Sequence, residues 1–304
     1  MSRVLITGAG GFIGRLLVAD LLARGHHVFS VHHRKPPTLP TDDRHRNLQA
    51  DLRSPLDLPT DIDWVVHAAA VTHLDPTLTA TDYARTNVDG ALHIARYVDQ
   101  AAVRGVIYLS TLSVYGSIAG SCLRETEEPR SPNLYGRTKR LAEEILLDLP
   151  DNCDVLCLRL PGITGPGYFR AWIGQVLQAL HDDRPVTYVN GDRPFNNLLD
   201  AGELNRLVDH VIRSDPIGHH VVNAAATAAE PLSEILMRMR ELCGSRSELV
   251  DDGRRPPSFW IDTSKLEQIT GFTPDSTRRQ ISTFVDANPR QQATASRPVL
   301  SLSA

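Results

Sequence analysis

An α/β fold, with a doubly wound parallel sheet and a smaller C-terminal cap, is what this 304-residue sequence predicts. Three observations predict it. The first is Val4–Gly14, where a short apolar run meets a turn with glycine at four of the seven positions 8–14. An amphipathic run from Phe12 to Leu22 follows, so the order reads strand, tight turn, helix. The second is rhythm. Strand-like and helix-like segments alternate at intervals of about thirty residues as far as Leu160, the pattern of parallel strands joined by helices on both faces. The third is the loss of that rhythm after Pro161, where Gly162, Gly165, Pro166 and Gly167 open a loop.

Each element has a local reason. Arg3–Ile6 is apolar and β-prone. The glycines at 8, 11 and 14 serve separate needs: positive φ at the turn, approach of a diphosphate to the backbone, and close packing of helix on strand. Free N–H groups where the helix begins make an anion site, and a turn so placed points to a bound dinucleotide. The helix runs from Phe12 to Arg24 and stops at Gly25. His27–Val31 is the second strand, followed by His32, His33, Arg34 and Lys35. In this fold an acidic residue there accepts hydrogen bonds from the ribose of NAD, whereas a basic cluster suits a 2′-phosphate. No carboxylate stands between Val28 and Pro40, so NADP(H) is favoured over NAD(H); a solvated basic loop is the alternative. Asn47–Ala50 is a third strand, and Asp51 after it either bonds the adenine amino group or caps a turn. The strand Asp63–Ala70 ends in small residues on which a ligand can lie, with His67 read as a packed histidine. From Asp82 to Ala102, Ala84, Val88, Leu92, Ala95 and Val98 fall at helical spacing around Asn87. Val106–Leu109 is the fifth strand, Leu134–Leu149 a helix and Asp154–Leu160 the sixth strand. Beyond Pro161, helices are expected over 168–181, 203–213, 232–242, 264–269 and 276–285, and strands over 186–189 and 220–223.

These elements divide the chain into a dinucleotide-binding domain, 1–161, with 190–224 completing its sheet, and a substrate-binding cap from 162–189 and 225–287. Residues 288–304 are polar and helix-poor, and are expected to be disordered.

Composition narrows the class. The hydrophobic share of 41% supports an ordinary core, and no apolar run approaches the ~20 residues of a membrane span. No basic-then-apolar signal segment opens the chain, and its four cysteines show no C-x-x-C pairing. A cytoplasmic protein with reduced thiols is expected, Cys153 and Cys157 packing in a strand. A net charge of −4 with mixed signs argues against a nucleic-acid surface. Several of the twelve histidines form adjacent pairs, at 26–27, 32–33 and 219–220, without zinc spacing, so no metal is expected.

Three side chains can carry chemistry. Thr111 follows the fifth strand, and Tyr135 and Lys139, four apart, share one helical face. Both regions lie at the carboxyl edge of the sheet, where open α/β sheets bind ligands. A phenol has an unperturbed pKa near ~10, and a neighbouring ammonium with a positive nicotinamide would lower it. Tyr135 would then exchange a proton with a substrate hydroxyl while hydride moves, Thr111 orienting the same oxygen and Lys139 holding the nicotinamide ribose. An amphipathic helix with a surface tyrosine and lysine is the alternative.

Taken together, these pieces resemble an extended short-chain dehydrogenase/reductase of the sugar-nucleotide epimerase/dehydratase family. The matching stretches are 7–14, 51–52, 67–70, 87–90, 110–116, 135–139, 158–161, Asp200 and 262–265, in the family's order. The resemblance implies a Rossmann-type sheet and a catalytic set of Thr111, Tyr135 and Lys139. It implies a cofactor lying across Gly8, Gly11, Phe12, Ile13, Gly14, His33, Arg34, Lys35, Asp51, Leu52, Ala68, Ala69, Ala70, Asn87 and Pro161. It further implies substrate contacts from Ser113, Gly162, Arg193 and Arg254, the two arginines suiting a nucleotide diphosphate. Departures are informative. The 4,6-dehydratase branch carries Asp-Glu after its threonine, where this chain has Leu112 and Ser113, so no dehydratase activity is expected. The family tends to have Asn where Gly162 stands.

Three functions follow from the resemblance, in order of preference. The first is an NADPH-dependent reductase of a keto-sugar nucleotide, the sugar carried on UDP or dTDP. The second is an NAD-dependent 4-epimerase. The third is a non-catalytic dinucleotide-sensing protein, which would ordinarily have lost the Tyr/Lys pair. A homodimer through the helices near 82–102 and 133–149 is expected by analogy.

Overall fold

A computed structural model describes residues 1–34, 36, 42–72 and 77–290. Its centre is the doubly wound sheet. Seven strands take part: β1 Arg3–Thr7, β2 His27–His32, β3 His45–Gln49, β4 Trp64–His67, β5 Gly105–Thr111, β6 Asp154–Leu160 and β7 His219–Asn223. They lie in the order β7-β6-β5-β4-β1-β2-β3, every pair parallel. The chain therefore winds outward from β1 in both directions. The reversal between β1 and β4 opens a crevice at their carboxyl ends. Thr7 pairs with His67 there, and Thr111 ends β5 opposite Leu160 of β6.

Nine α-helices are present among the described residues: α1 Phe12–Ala23, α2 Ala80–Tyr83, α3 Gly90–Gln100, α4 Leu134–Leu147, α5 Trp172–His181, α6 Ala201–Arg213, α7 Leu232–Leu242, α8 Ser264–Thr270 and α9 Thr277–Asp286. Alternation along β1 explains the two core layers. Val4 and Ile6 face α1 and α6, whereas Leu5 faces α3 and α4. β6 is buried at every position, as a strand covered on both faces should be. A third apolar cluster, built from α5, α7 and α9, forms the cap.

Several elements differ from the sequence reading. The helix expected over 82–102 starts at Ala80, after a capping box between Thr79 and Asp82, and passes through a π-helical stretch, Ala84–Asp89, before α3. A π turn holds more residues than an α turn, so the inward stripe shifts. Tyr83, Asn87, Ala91 and Ile94 are buried, while Leu92 is exposed. Within 190–224 it is β7 that extends the sheet; Leu198–Asp200 pairs instead with Gly162–Thr164 in a separate two-stranded ribbon. Residues 168–171 are loop, and the helix starts only at Trp172.

The expected disorder from residue 288 is corrected at its start. Asn288 is buried: its Oδ1 accepts from the Gly167 N–H at 2.7 Å, and its Nδ2 donates to the Phe284 carbonyl at 2.8 Å. Arg290 pairs with Asp183. Residues 291–304 lie outside the described residues. No helix among the described residues is long and apolar enough to cross a membrane.

Candidate active site

The crevice is shaped by its glycines. Gly8 has φ +70°, and a Cβ there would meet the Ala69 backbone. A Cβ on Gly14 would overlap the Gly8 carbonyl, so α1 rests directly on the turn. Gly11 caps α1 with no side-chain bond, leaving first-turn N–H groups for an anion. Two adjoining cavities share Gly8, Gly11, Ala68 and Ala70. The first, about 720 Å³, is also lined by His33, Arg34, Asp51, Leu52 and Ala69. The second, about 680 Å³, is lined by Phe12, Ile13, Gly14, Thr111, Ser113, Tyr135, Pro161 and Gly162. A glycine cradle, small side chains beneath and basic residues at the far end fit a dinucleotide. Lys35 lies outside the described residues. Asp51 both lines the first cavity and closes a turn. It accepts from the Arg53 backbone at 3.0 Å and side chain at 2.7 Å, which hold its carboxyl at about 2.

Tyr135 is delivered by the start of α4. The Asn133 side chain caps that helix through the Gly136 N–H at 2.8 Å. A Cβ on Gly136 would overlap the Ser113 carbonyl, so α4 sits against the turn that follows Thr111. The Thr111 hydroxyl accepts from the Ser113 N–H at 3.2 Å, and both Thr111 and Tyr135 line the second cavity. Burial pushes the Tyr135 phenol up to about 12, the nearby Thr111 hydroxyl opposing the rise. The lowering expected from the adjacent ammonium is not what this structure gives. Lys139 is 1% exposed; burial pushes it down to about 7 against the pull of Glu143, and its Nζ lies 4.0 Å from the centre of the Tyr108 ring. Lys139 thus sits under the cavity floor rather than lining it.

That floor is a buried polar layer. His67 Nδ1 is 2.7 Å from the Thr7 hydroxyl, and its ring stacks on Tyr108 at 5.3 Å. Desolvation, with the nearby Lys139 charge, holds His67 down at about 3. Glu143 pairs with Arg159 at 2.7 Å and accepts from Ser110. The Arg159 guanidinium lies 4.7 Å above the Tyr115 ring.

Besides Lys139, three expected site residues fall elsewhere. Asn87 is buried: its Oδ1 accepts from the Val71 N–H at 2.9 Å, and its Nδ2 donates to the Thr138 hydroxyl at 3.1 Å. It fixes the Val71 backbone and the tyrosine helix instead of facing the cleft. Arg193 is exposed and Arg254 is held by Asp252 at 2.6 Å; neither lines either cavity. The sequence reading missed Tyr168, Arg170, Trp172, Asn197 and Phe259, all lining the second cavity. Tyr168 stacks on Phe12 at 4.0 Å. A Tyr-Phe-Arg run directly after Gly-Pro-Gly was the available signal, and reading it as the start of a helix concealed it.

The chain matches, over residues 4–225, the model of a family described as NAD dependent epimerase/dehydratase. It is 32% identical to a 3-beta-hydroxysteroid dehydrogenase of Mycolicibacterium neoaurum across 55% of this chain and 49% of that enzyme. The chain thus spans about half the length of that relative. It is 27% identical to a dTDP-6-deoxy-L-talose 4-dehydrogenase (NAD(P)(+)) of Kitasatospora kifunensis, covering 92% of this chain and 93% of that one. Among solved structures, MoeE5 in complex with UDP-glucose and NAD superposes with a TM-score of 0.74 at 27% identity, over 94% of this chain and 98% of that one.

Proposed function

We propose that this chain, which belongs to the NAD-dependent epimerase/dehydratase family, is an oxidoreductase that reduces a keto-sugar carried on a nucleoside diphosphate. The observation that carries the reading is that Thr111 and Tyr135 line one cavity together with the glycine turn. When bound, the nicotinamide supplies the hydride. Tyr135 gives its phenolic proton to the oxygen of the carbonyl being reduced, and Thr111 holds that oxygen in line. A phenol at about 12 keeps its proton at neutral pH, the state in which a reduction must start. The relative named a 4-dehydrogenase, matched over nearly its whole length, supports net hydride transfer.

Dehydration is disfavoured by the lining itself. Among the described residues of the second cavity there is no carboxylate, and Leu112 and Ser113 follow Thr111. NADP(H) is the proposed cofactor because His33 and Arg34 line the first cavity, where a 2′-phosphate would lie. A homodimer through α3 and α4 belongs to the same reading, with Leu92 and Leu141 exposed on those helices.

The test is turnover on UDP- and dTDP-4-keto-sugars with NADPH and NADH. Stoichiometric cofactor oxidation supports the reductase; interconversion of C4 epimers without net oxidation would establish the 4-epimerase instead. Tyr135→Phe is expected to lower kcat by about 10²–10⁴ while leaving cofactor binding intact. Unchanged turnover in that variant would favour a non-catalytic role for the site.

A further inference from the structure

Four strands set a row of side chains at one level beneath α4. Thr7 of β1 pairs with His67 of β4, His67 with Tyr108 of β5, and Tyr108 with Cys157 of β6, so all four share one face of the sheet. Lys139 comes down on that row from α4. It is 1% exposed, and its Nζ lies 4.0 Å from the centre of the Tyr108 ring. No hydrogen bond or ion pair joins that ammonium to another described residue. The carboxylate one turn on is already taken: Glu143 accepts from Arg159 at 3.1 and 2.7 Å and from Ser110. Burial keeps the Cys157 thiol protonated, and His67 is held neutral by burial and by the Lys139 charge. The Tyr108 hydroxyl has no hydrogen-bond partner among the described residues, so what this side chain offers Lys139 is the face of its ring. An aromatic face attracts a cation, the more so away from water.

We propose that Tyr108 is a positioning residue for the reduction: its ring holds the Lys139 ammonium, fixed and charged, one helical turn from Tyr135. The proposal rests on the reductase reading above. Giving its proton to the substrate oxygen leaves Tyr135 a phenolate, and a cation in the cavity floor offsets that charge as it forms. Burial works against the cation and already brings Lys139 down to about 7. An uncharged ring opposes that loss without cancelling the cation's field at Tyr135, as a carboxylate beside it would.

The chain has three lysines, Lys35, Lys139 and Lys265, so carbon-13 labelling at lysine Cε gives a spectrum in which Lys35→Arg and Lys265→Arg identify Lys139. In the wild type the Lys139 Cε protons are expected upfield of the other two, moved by the ring current of Tyr108. Lys139 is expected to titrate near neutral pH in the wild type and in Tyr108→Phe, which keeps the ring, and about one pH unit lower in Tyr108→Leu. Reduction of UDP- or dTDP-4-keto-sugars by NADPH should lose kcat as Lys139 gives up its proton, and Tyr108→Leu should lose it about one pH unit earlier with KM little changed. If the wild-type signal is not shifted upfield, or if Tyr108→Leu titrates as the wild type does, the ring does not hold the cation and the proposal falls while the reductase reading stands. The upfield shift decides the contact in the wild type even if Tyr108→Leu fails to fold. If Lys139 titrates as expected but the pH dependence of kcat does not follow it, the contact is structural and the positioning role is overturned. If the wild type reduces neither 4-keto-sugar, the reductase reading fails and takes the positioning role with it, whereas the Lys139 spectrum still shows whether the ring holds the cation.

Discussion

His67 and Lys139 share one buried layer, in which burial and the Lys139 charge both keep His67 neutral. Spacing alone put Tyr135 and Lys139 on one helical face and Thr111 at a strand end on the same edge, while their reading as a catalytic set came from the family resemblance. Their protonation was not legible. Burial, which spacing does not encode, sends Tyr135 up and Lys139 down. His67 gives this layer a measurable signature. Its pKa is lowered in the folded chain, so below the ordinary value of 6.5 the unfolded chain binds a proton that the folded one refuses until about pH 3. Stability from this group is therefore present above pH 6.5 and is lost as pH falls. Between pH 7 and pH 5 the loss is about 2 kcal/mol. Urea unfolding of wild type and His67→Asn at both pH values checks it: the variant should show a shallower decline. Equal declines in the two proteins would mean that His67 is not held neutral.

At the scale of elements, the most exacting contact is that of α4 with the turn after β5. Strands and most helices of the sheet were readable because their apolar periods are strong and their ends are marked by glycine. The close approach at Gly136 was not, since a glycine at the third position of a helix looks like a weak helix former until its neighbour is known. Gly136→Ala tests the contact. Its methyl group would meet the Ser113 carbonyl and force α4 outward, lifting Tyr135 from Thr111. The expected cost is about 1–3 kcal/mol of stability, with kcat falling more than the affinity for NADPH. Differential scanning calorimetry with steady-state kinetics separates the two effects. A variant with wild-type Tm and kcat would show that the helix has room to spare. The π-helical stretch was hidden for a related reason. It turns Asn87 inward to bond Val71 and Thr138, and the compensation for a buried amide comes from segments distant in sequence.

Across the whole molecule, the cap was the least legible part because its order comes from contacts between distant segments rather than from local periods. Asn288 shows how far those contacts reach. From the end of α9 it grips the loop Gly165–Gly167, donating to the Gly165 carbonyl at 3.3 Å and accepting from the Gly167 N–H at 2.7 Å. The next residue, Tyr168, stacks on Phe12 at the glycine turn, and Arg170 follows two positions later. One amide near the C-terminus thereby links the cap to both halves of the cleft. Asn288→Ala leaves the Gly167 N–H without that acceptor, at a cost of about 1–3 kcal/mol for a buried donor. Gly167 is itself exposed, so water can replace part of that bond, and the cost belongs at the lower end of the range. The larger consequence is expected in the loop's order. Hydrogen exchange should quicken at 165–170 while the strands of the sheet keep their protection, and KM for the sugar substrate should rise more than kcat falls. If exchange at 165–170 is unchanged in Asn288→Ala, the loop is held by Tyr168 and Phe12 alone and the C-terminal clamp carries no part of the cleft's shape.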